Sequence, residues 1–582
     1  MEIDYQRLKF DYRRSPDQDA RHPVRHRVIV IGAGPVGLAL AIDLAQRGAP
    51  VTVLDDDDTL SSGSRAICFA KRTLEIFDRL GCGDRMVEKG VSWNTGKVFF
   101  RDRLVFSFDL MPETGHHRPA FINLQQYYVE GFLLERAKAI GTLEIRWKNK
   151  VTGLVSSPDG VDLTVSTPEG EYSLRADYVL ACDGARSAVR GMLGEASSGQ
   201  VFRDRFLIAD VKMSADFPNE RWFWFDPPFH PGQSVLLHHQ PDDVWRIDFQ
   251  LGWGADPVAE RAPERVTPRI RALLGADVEF TYEWVSVYTF ACTRMRRFRH
   301  GRVLFAGDAA HGMSPFGARG ANGGVQDAEN LAWKLKLVLD GKAPDALLDS
   351  YATEREYAAD ENILNSSRST DFITPKSKVS RTFRDAVLLL ARDCAFARRL
   401  VNSGRLSVPA VLTGSPLNTP DQDAFAGPMA PGAASTDAPI RISGADVWGA
   451  DGWLLQELGG TFTGLGFSDG EAFSALRLAA LRALQEWPVP VRPILIAAPG
   501  STPKEIRGVR MIEDTAGLLA HRFDGKPGTF YLLRPDQHVA GRWRRFDPGL
   551  VRSAVARATC NLPAGNLPAG NLPAGNLAAG NL

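Results

Sequence analysis

The chain has 582 residues, 44% of them hydrophobic, enough for two or three domains with large cores. Lys+Arg and Asp+Glu stand at 69 each, a zero net charge that argues against a nucleic-acid partner or an acidic membrane surface. No apolar run is long enough to span a membrane, and six cysteines scattered without CxxC spacing exclude an obvious metal site or disulfide framework and fit a reducing cytoplasm.

Residues 1–26 form a polar extension unlike a secretory signal. Arg27-Val-Ile-Val-Ile-Gly32-Ala-Gly34-Pro-Val-Gly37, then Val51-Thr-Val-Leu-Asp55, predicts strand, glycine turn, helix, strand and carboxylate. Gly32 permits the tight turn, Gly34 lets backbone N–H groups approach a pyrophosphate, and Gly37 lets helix and strand pack closely. Asp55 stands where a ribose-hydroxyl acceptor belongs. The motif predicts an adenine dinucleotide and leaves FAD and NAD both open. Tyr178-Val-Leu-Ala-Cys-Asp183-Gly184-Ala-Arg186-Ser187 predicts a second strand ending in Asp-Gly. From about 200 to 294 the pattern turns to strands: Trp245, Ile247, Phe249 and Leu251 alternate with Arg246, Asp248 and Gln250, and Val235–His239 pairs with them through Gln240-Pro-Asp-Asp243. Arg302-Val-Leu-Phe-Ala-Gly307-Asp308 is a third strand end, followed by a loop rich in glycine and a helix through Val325, Leu331 and Leu335. Glycine-rich backbone opening onto a helix N-terminus stabilises anions. A helical segment and Gly/Pro/Ala/Ser-rich linker occupy 376–439, a separate small α/β domain 440–558, and a repeat of Asn-Leu-Pro-Ala-Gly the tail 559–582, expected to be flexible.

These three motifs, in this order over about 27–370, resemble the single-component (class A) FAD-dependent aromatic hydroxylases typified by p-hydroxybenzoate hydroxylase. Residues 440–558, with Pro527-Gly-Thr-Phe-Tyr-Leu-Leu-Arg534-Pro535-Asp536, are similar to the thioredoxin-like C-terminal domain of the phenol hydroxylase and hydroxyphenylpropionate hydroxylase branch, here without CxxC. The resemblance implies an α/β chain: an FAD-binding Rossmann-like (GR2-type) domain at 27–199 and 295–375, an inserted β-sheet substrate domain at 200–294, and a thioredoxin-like domain at the C-terminus. It gives Asp55 the ribose role usually held by Glu and places Asp56 where Arg is frequent. Arg65 is implied near the flavin and pyrophosphate, Gln126 at the ribityl chain with Gln125 as rival, and Asp308 also at the ribityl chain. Gly320, Ala321 and Asn322 present backbone to the pyrimidine edge, Pro315 flanks the oxygen-reacting face, and Asp183 and Arg186 belong to a motif linked to FAD and the nicotinamide cofactor. His311 is expected to be structural, and Tyr127 and Tyr128 core.

The implied reaction uses NADH or NADPH as a transient reductant and O2 to hydroxylate a phenol ortho or para to its hydroxyl through a flavin C4a-hydroperoxide. The partners are then a small phenolic substrate and O2, with no nucleic acid, no membrane and a homodimeric assembly. Trp222 and Trp224 are the expected aromatic wall, Tyr288 a contact to the phenol hydroxyl, and Arg246 or Arg294 a partner for a substrate carboxylate. Two rival readings remain. Flavin-dependent halogenases place Trp-x-Trp-x-Ile-Pro in a comparable region, where this chain has Trp222-Phe-Trp224-Phe-Asp226-Pro227. A non-catalytic flavin-binding module is the other.

Overall fold

Val28, Ile29 and Val30 are completely buried, because the strand that holds them, Val24–Ile31, lies inside a parallel sheet. The computed structural model describes residues 4–562 apart from 62, 64–65, 216, 402–405, 444–447, 469–473 and 502–505. Val24–Ile31 is flanked in parallel by Gly170–Ala181 and Val51–Leu54. Val303–Phe305 and Leu143–Arg146 extend the sheet on either side. Strands covered on both faces need near-continuous apolar runs, and residues 28–31, Val51–Leu54, residues 178–181 and Val303–Phe305 have them, whereas the edge strand Leu143–Arg146 does not. Helix Pro35–Gln46 makes the first crossover, with Gly34 as its N-cap and Pro35 in its first turn. It packs against Gly320–Leu339 and Gln126–Lys138.

The second sheet has eight strands, ordered His311–Gly312, Thr281–Met295, Ser197–Lys212, Val244–Leu251, Ser234–His239, Arg221–Phe225, Thr95–Phe100 and Arg103–Asp109. It is therefore wider than the segment 200–294: the first domain lends it the hairpin at 95–109. The turn between Ser234–His239 and Val244–Leu251 has Asp242 and Asp243 at φ 65° and 57°, the backbone that a tight hairpin needs and that Asp tolerates. Leu207, Leu237, Ile247 and Trp224 line one face, under Val266 and Ile270 of helix Pro263–Leu274. The other face, with Phe206, Phe290 and Cys292, meets the loop around Phe316.

The third sheet contains Val491–Ala497 parallel to Phe462–Ser468, which pairs antiparallel with Phe530–Leu533 and that with Val539–Trp543. With helix Pro548–Ala558 this is a thioredoxin-like arrangement. No cysteine occurs between 440 and 558.

Two segments differ from expectation. The Gly/Pro/Ala/Ser-rich linker is packed: Leu412, Leu417, Met429, Ala433 and Ala438 are buried, and Asn418 donates to the Leu412 carbonyl at 2.6 Å. Its many small residues and prolines suit a close-fitting arm as well as a loose one. The N-terminal extension is also docked. Tyr5 is buried, in the space left by Gly131, where a Cβ would sit 2.2 Å from the Tyr5 ring. Phe10 stacks on Trp147 with centroids 4.3 Å apart.

Candidate flavin and substrate site

The three glycine-bearing strand ends converge on one helix start. Gly32 has φ +104°, and a Cβ there would lie 2.5 Å from the Cys182 carbonyl oxygen, so the first motif is pressed against the second. A Cβ on Gly37 would lie 2.0 Å from the Gly32 oxygen. The third motif closes on Val36: added Cβ atoms on Gly307 and Gly324 would approach its Cγ2 to 2.9 and 2.6 Å. Asp327 ties the same point from behind. It accepts from the Gly307 N–H at 3.0 Å and pairs with His311 at 2.7 Å and Arg355 at 2.6 Å. Burial opposes its charge, but His311 and Arg355 hold its carboxyl below the usual range. His311, 1% exposed, is thus part of the scaffold. Arg190 joins the second motif to the third by donating to the Ala309 carbonyl at 2.9 Å.

Around this centre lie the other expected contacts. Asp55 accepts from the Ala33 N–H at 2.5 Å and the Asp57 N–H at 2.9 Å. Burial pushes its carboxyl up to about 6. One oxygen of Asp183 caps the turn by accepting from Val189 N–H at 3.0 Å; the other, Oδ1, is buried without a hydrogen-bond partner. Arg186 is exposed. Asp308 is exposed on the turn Gly307–Ala309. Gln126 braces the preceding loop: its Oε1 accepts from Ala66 N–H at 3.2 Å, and its Nε2 donates to Ser61 at 2.9 Å and Glu130 at 2.8 Å. Gln125 is buried and donates to the Pro241 carbonyl at 3.0 Å. Asn322 pins the helix start to strand Cys68–Ala70, accepting from Ala70 N–H at 2.8 Å and donating to Cys68 O at 2.9 Å. Its backbone, with that of Gly320 and Ala321, heads helix Gly320–Leu339. Arg65 lies outside the described residues.

A dinucleotide fits this cradle. A Cβ on Gly34 or on Gly320 would meet nothing within 4 Å, so both backbones face open space at the starts of helices of 12 and 20 residues. The orphaned Asp183 oxygen faces no protein donor, and Asp55 stands at the end of the second strand. Phosphates at the helix starts and donors at the carboxylates would complete the site.

The substrate side brings corrections. Trp222 and Trp224 do not face the glycine loops. The pleat turns both into the far side of the sheet, where Trp224 stacks on Phe99 at 5.2 Å and meets Phe229 at 5.8 Å. Arg246 does face the loops but is held by Asp210, with bonds of 2.8 and 2.7 Å. Arg294 is held likewise by Asp360, at 2.5 and 2.9 Å. Tyr288 lies on the loop-facing side, half-buried opposite Phe206, with Trp284 5.8 Å away. Pro315 is exposed at the turn it forms with Ala318, and the neighbouring Phe316 ring lies 4.9 Å from Phe206.

The loop-facing side also holds residues that alternation alone assigns to solvent. Arg221, His238 and Asp248 share it with Arg246 and Asp210. Burial, then Arg221 and Arg246, lowers the His238 imidazole well below its ordinary value, so it is neutral. Burial raises the Asp248 carboxyl to about 6. The signal was present as charged residues inside aromatic strands, but the sequence alone does not say that both faces are covered.

The family described as FAD binding domain matches residues 25–366. A probable NADH-specific resorcinol 4-hydroxylase of Rhodococcus jostii is 30% identical over 530 residues, covering 88% of this chain and 91% of that one. A 3-(3-hydroxy-phenyl)propionate/3-hydroxycinnamic acid hydroxylase of Mycolicibacterium smegmatis is 28% identical, covering 88% and 90%. Among solved structures, the flavin-dependent monooxygenase PieE, in complex with FAD and substrate, superposes with a TM-score of 0.76 at 23% identity, covering 93% of this chain and all of that one.

Proposed function

The chain belongs to the FAD binding domain family of flavoprotein monooxygenases, and from that premise we propose that it hydroxylates a phenolic ring, ortho or para to the hydroxyl, in aromatic catabolism. The observation that carries this reading is the closure of two further glycine motifs on the first, one against Gly32 and one against Val36, within the segment the family matches. FAD is the cofactor, and when bound it accepts hydride from NADH or NADPH and activates O2 for transfer of one oxygen atom to the ring.

The chain's own residues do the rest. Gly32 and Gly34 admit the pyrophosphate, and Asp55 accepts from the ribose. Asp183, with its unpartnered Oδ1, and Asp308, exposed on the turn Gly307–Ala309, are the carboxylates that the second and third motifs would offer to the cofactor. The start of helix Gly320–Leu339, fixed by Asn322, would offer N–H groups and a partial positive charge to the anionic edge of a reduced flavin. Phe206, Phe290 and Phe316 exclude water from the substrate side, which limits wasteful peroxide release. Tyr288, half-buried on that face, is the residue that would hydrogen-bond the phenol oxygen. The halogenase reading gains no support from its Trp-x-Trp pair, since both indoles lie on the far face.

No helix among the described residues is long and apolar enough to cross a membrane. We place the enzyme in the cytoplasm, without a nucleic-acid partner, as a homodimer. An exposed apolar stripe on helix Lys378–Asp393 and beyond supports the dimer: Val379 is 79% and Phe383 59% exposed, with Leu390, Phe396 and Leu400 alongside.

The test is a panel of phenols scored by stimulated NADH and NADPH oxidation, with product mass measured and hydrogen peroxide counted. A phenol that accelerates oxidation and gains one oxygen atom is the expected result. A colourless protein with no affinity for FAD, or FAD-loaded protein that no phenol stimulates, would overturn the proposal.

A further inference from the structure

One side chain on the loop-facing side of the sheet has no partner of its own. Arg221 is 8% exposed and its Nε has no hydrogen-bond partner. Among the described residues no carboxylate lies within ion-pair distance of it, although Asp248 and the Cys68 thiol are near enough to influence its charge. Its neighbour in the same row, Arg246, is satisfied on two sides by Asp210. Pairing across the strands explains the row. Arg221 opposes Gly96, Trp222 opposes Leu237 so that Arg221 comes alongside His238, His238 opposes Arg246, Arg246 opposes Asp210, and Asp210 opposes Trp284. The row therefore offers one uncompensated guanidinium and a neutral imidazole whose Nδ1 is buried and unpartnered; in the adjoining row Asp248, whose Oδ2 lies 3.9 Å from His238 Nε2, has a buried and unpartnered Oδ1.

The row runs toward the cofactor side. Trp284, at its end, lies against Gly63, where an added Cβ would approach the indole to 2.5 Å. Cys68, next to the row, is in the strand that Asn322 fastens to the helix start. An unpaired buried cation is expensive in a ligand-free protein, and three orphaned polar atoms in two adjoining rows signal a missing polar partner. A guanidinium fork matches a planar anionic oxygen group.

We propose that Arg221 anchors an anionic oxygen of the aromatic substrate, a carboxylate or a ring phenolate, and with His238 sets which phenols the enzyme accepts. The proposal rests on the hydroxylase reading above and deepens it by naming the recognition element.

The experiment is equilibrium binding to the FAD-loaded full chain, without turnover, followed by tryptophan fluorescence and by perturbation of the flavin absorption band. The probes are 3-phenylpropanoate, which has a carboxylate and no ring hydroxyl, and 4-nitrophenol at pH 8.5, which is a phenolate without a carboxylate. In Arg221→Met the affinity for at least one probe falls about 10- to 100-fold, and the probe that loses affinity identifies the anion. Arg221→Lys, which keeps the charge without the fork, recovers part of the loss. The melting temperature of Arg221→Met stays equal or rises, because a buried unpaired charge has been removed. Equal affinities in wild type and Arg221→Met, failure of the wild type to bind either probe, or a lower melting temperature with matching loss of FAD would each overturn the proposal. If the wild type binds a probe through Arg221 yet oxidises no NADH with any phenol, the hydroxylase reading falls and the anion site stands. If phenols are hydroxylated and Arg221→Met binds normally, the reverse holds.

Discussion

Gly34 and Gly37 stand three residues apart and separate two kinds of glycine requirement. A Cβ at 34 enters open space, whereas one at 37 collides with the Gly32 carbonyl oxygen at 2.0 Å. Gly34→Ala should therefore melt like wild type without cofactor but bind FAD at least about tenfold more weakly, as the methyl stands where the phosphates approach. Gly37→Ala should lose about 1–3 kcal/mol of stability by denaturant unfolding, with or without FAD. Equal behaviour of the two variants would contradict the assignment. Asp55 gives a pH prediction. Its folded carboxyl sits at about 6 against an ordinary 3.8, so the ligand-free fold holds a proton the unfolded chain lacks, and its stability falls as pH rises through that window. Cofactor retention has the opposite sign, because ribose hydroxyls donate to the ionised form. FAD release, read by recovery of flavin fluorescence, should accelerate as pH drops from 7 to 5, and Asp55→Asn should flatten that dependence.

Helix Gly320–Leu339 carries two functions at its two ends, and only one was legible. Its start belongs to the glycine loop, which local sequence announces. Further along, Asn330, Trp333 and Lys334 meet Glu354 from helix Leu347–Ile373 and Asp536 from the C-terminal domain, at 2.7–3.3 Å. Arg534 completes the network with Glu354 at 2.6 and 3.0 Å, and every charged member is fully buried. Burial opposes the charge on Glu354, but Arg534 and Lys334 keep its carboxyl well below the usual range. No periodicity links residues 180 positions apart, so Arg534-Pro535-Asp536 could be noticed as a motif but not read as a plug. Glu354→Gln should destabilise the chain by about 3–5 kcal/mol in denaturant unfolding, since it strands two buried cations. Flavin should be lost in the same transition, because the helix that carries the plug also carries the cofactor loop. Separate transitions would show that the domains are energetically independent. The sheet was legible in a similar half-measure. Alternation sorts Trp245, Ile247 and Phe249 from Arg246 and Asp248, but periodicity assigns faces and not what covers them, and so it does not show that Trp222 and Trp224 turn away from the glycine loops.

At the scale of the whole molecule, the stripe from Val379 to Leu400 is the surface expected to meet a second copy. Phe383→Glu with Leu390→Glu should convert a dimer into a monomer in sedimentation velocity, and a monomeric wild type would remove the dimer proposal. The buried plug has a different consequence, for the order in which the protein is made. A ribosome finishes residue 366 on the order of ten seconds before it reaches Arg534 and Asp536. During that interval the nascent nucleotide domain holds Glu354 and Lys334 without their last partners, so the earliest-synthesised half is completed by the latest. The plug therefore predicts that FAD is captured only after Arg534 and Asp536 have docked. Chains stopped short of Arg534 should be cleared by proteases instead of accumulating as a smaller working enzyme.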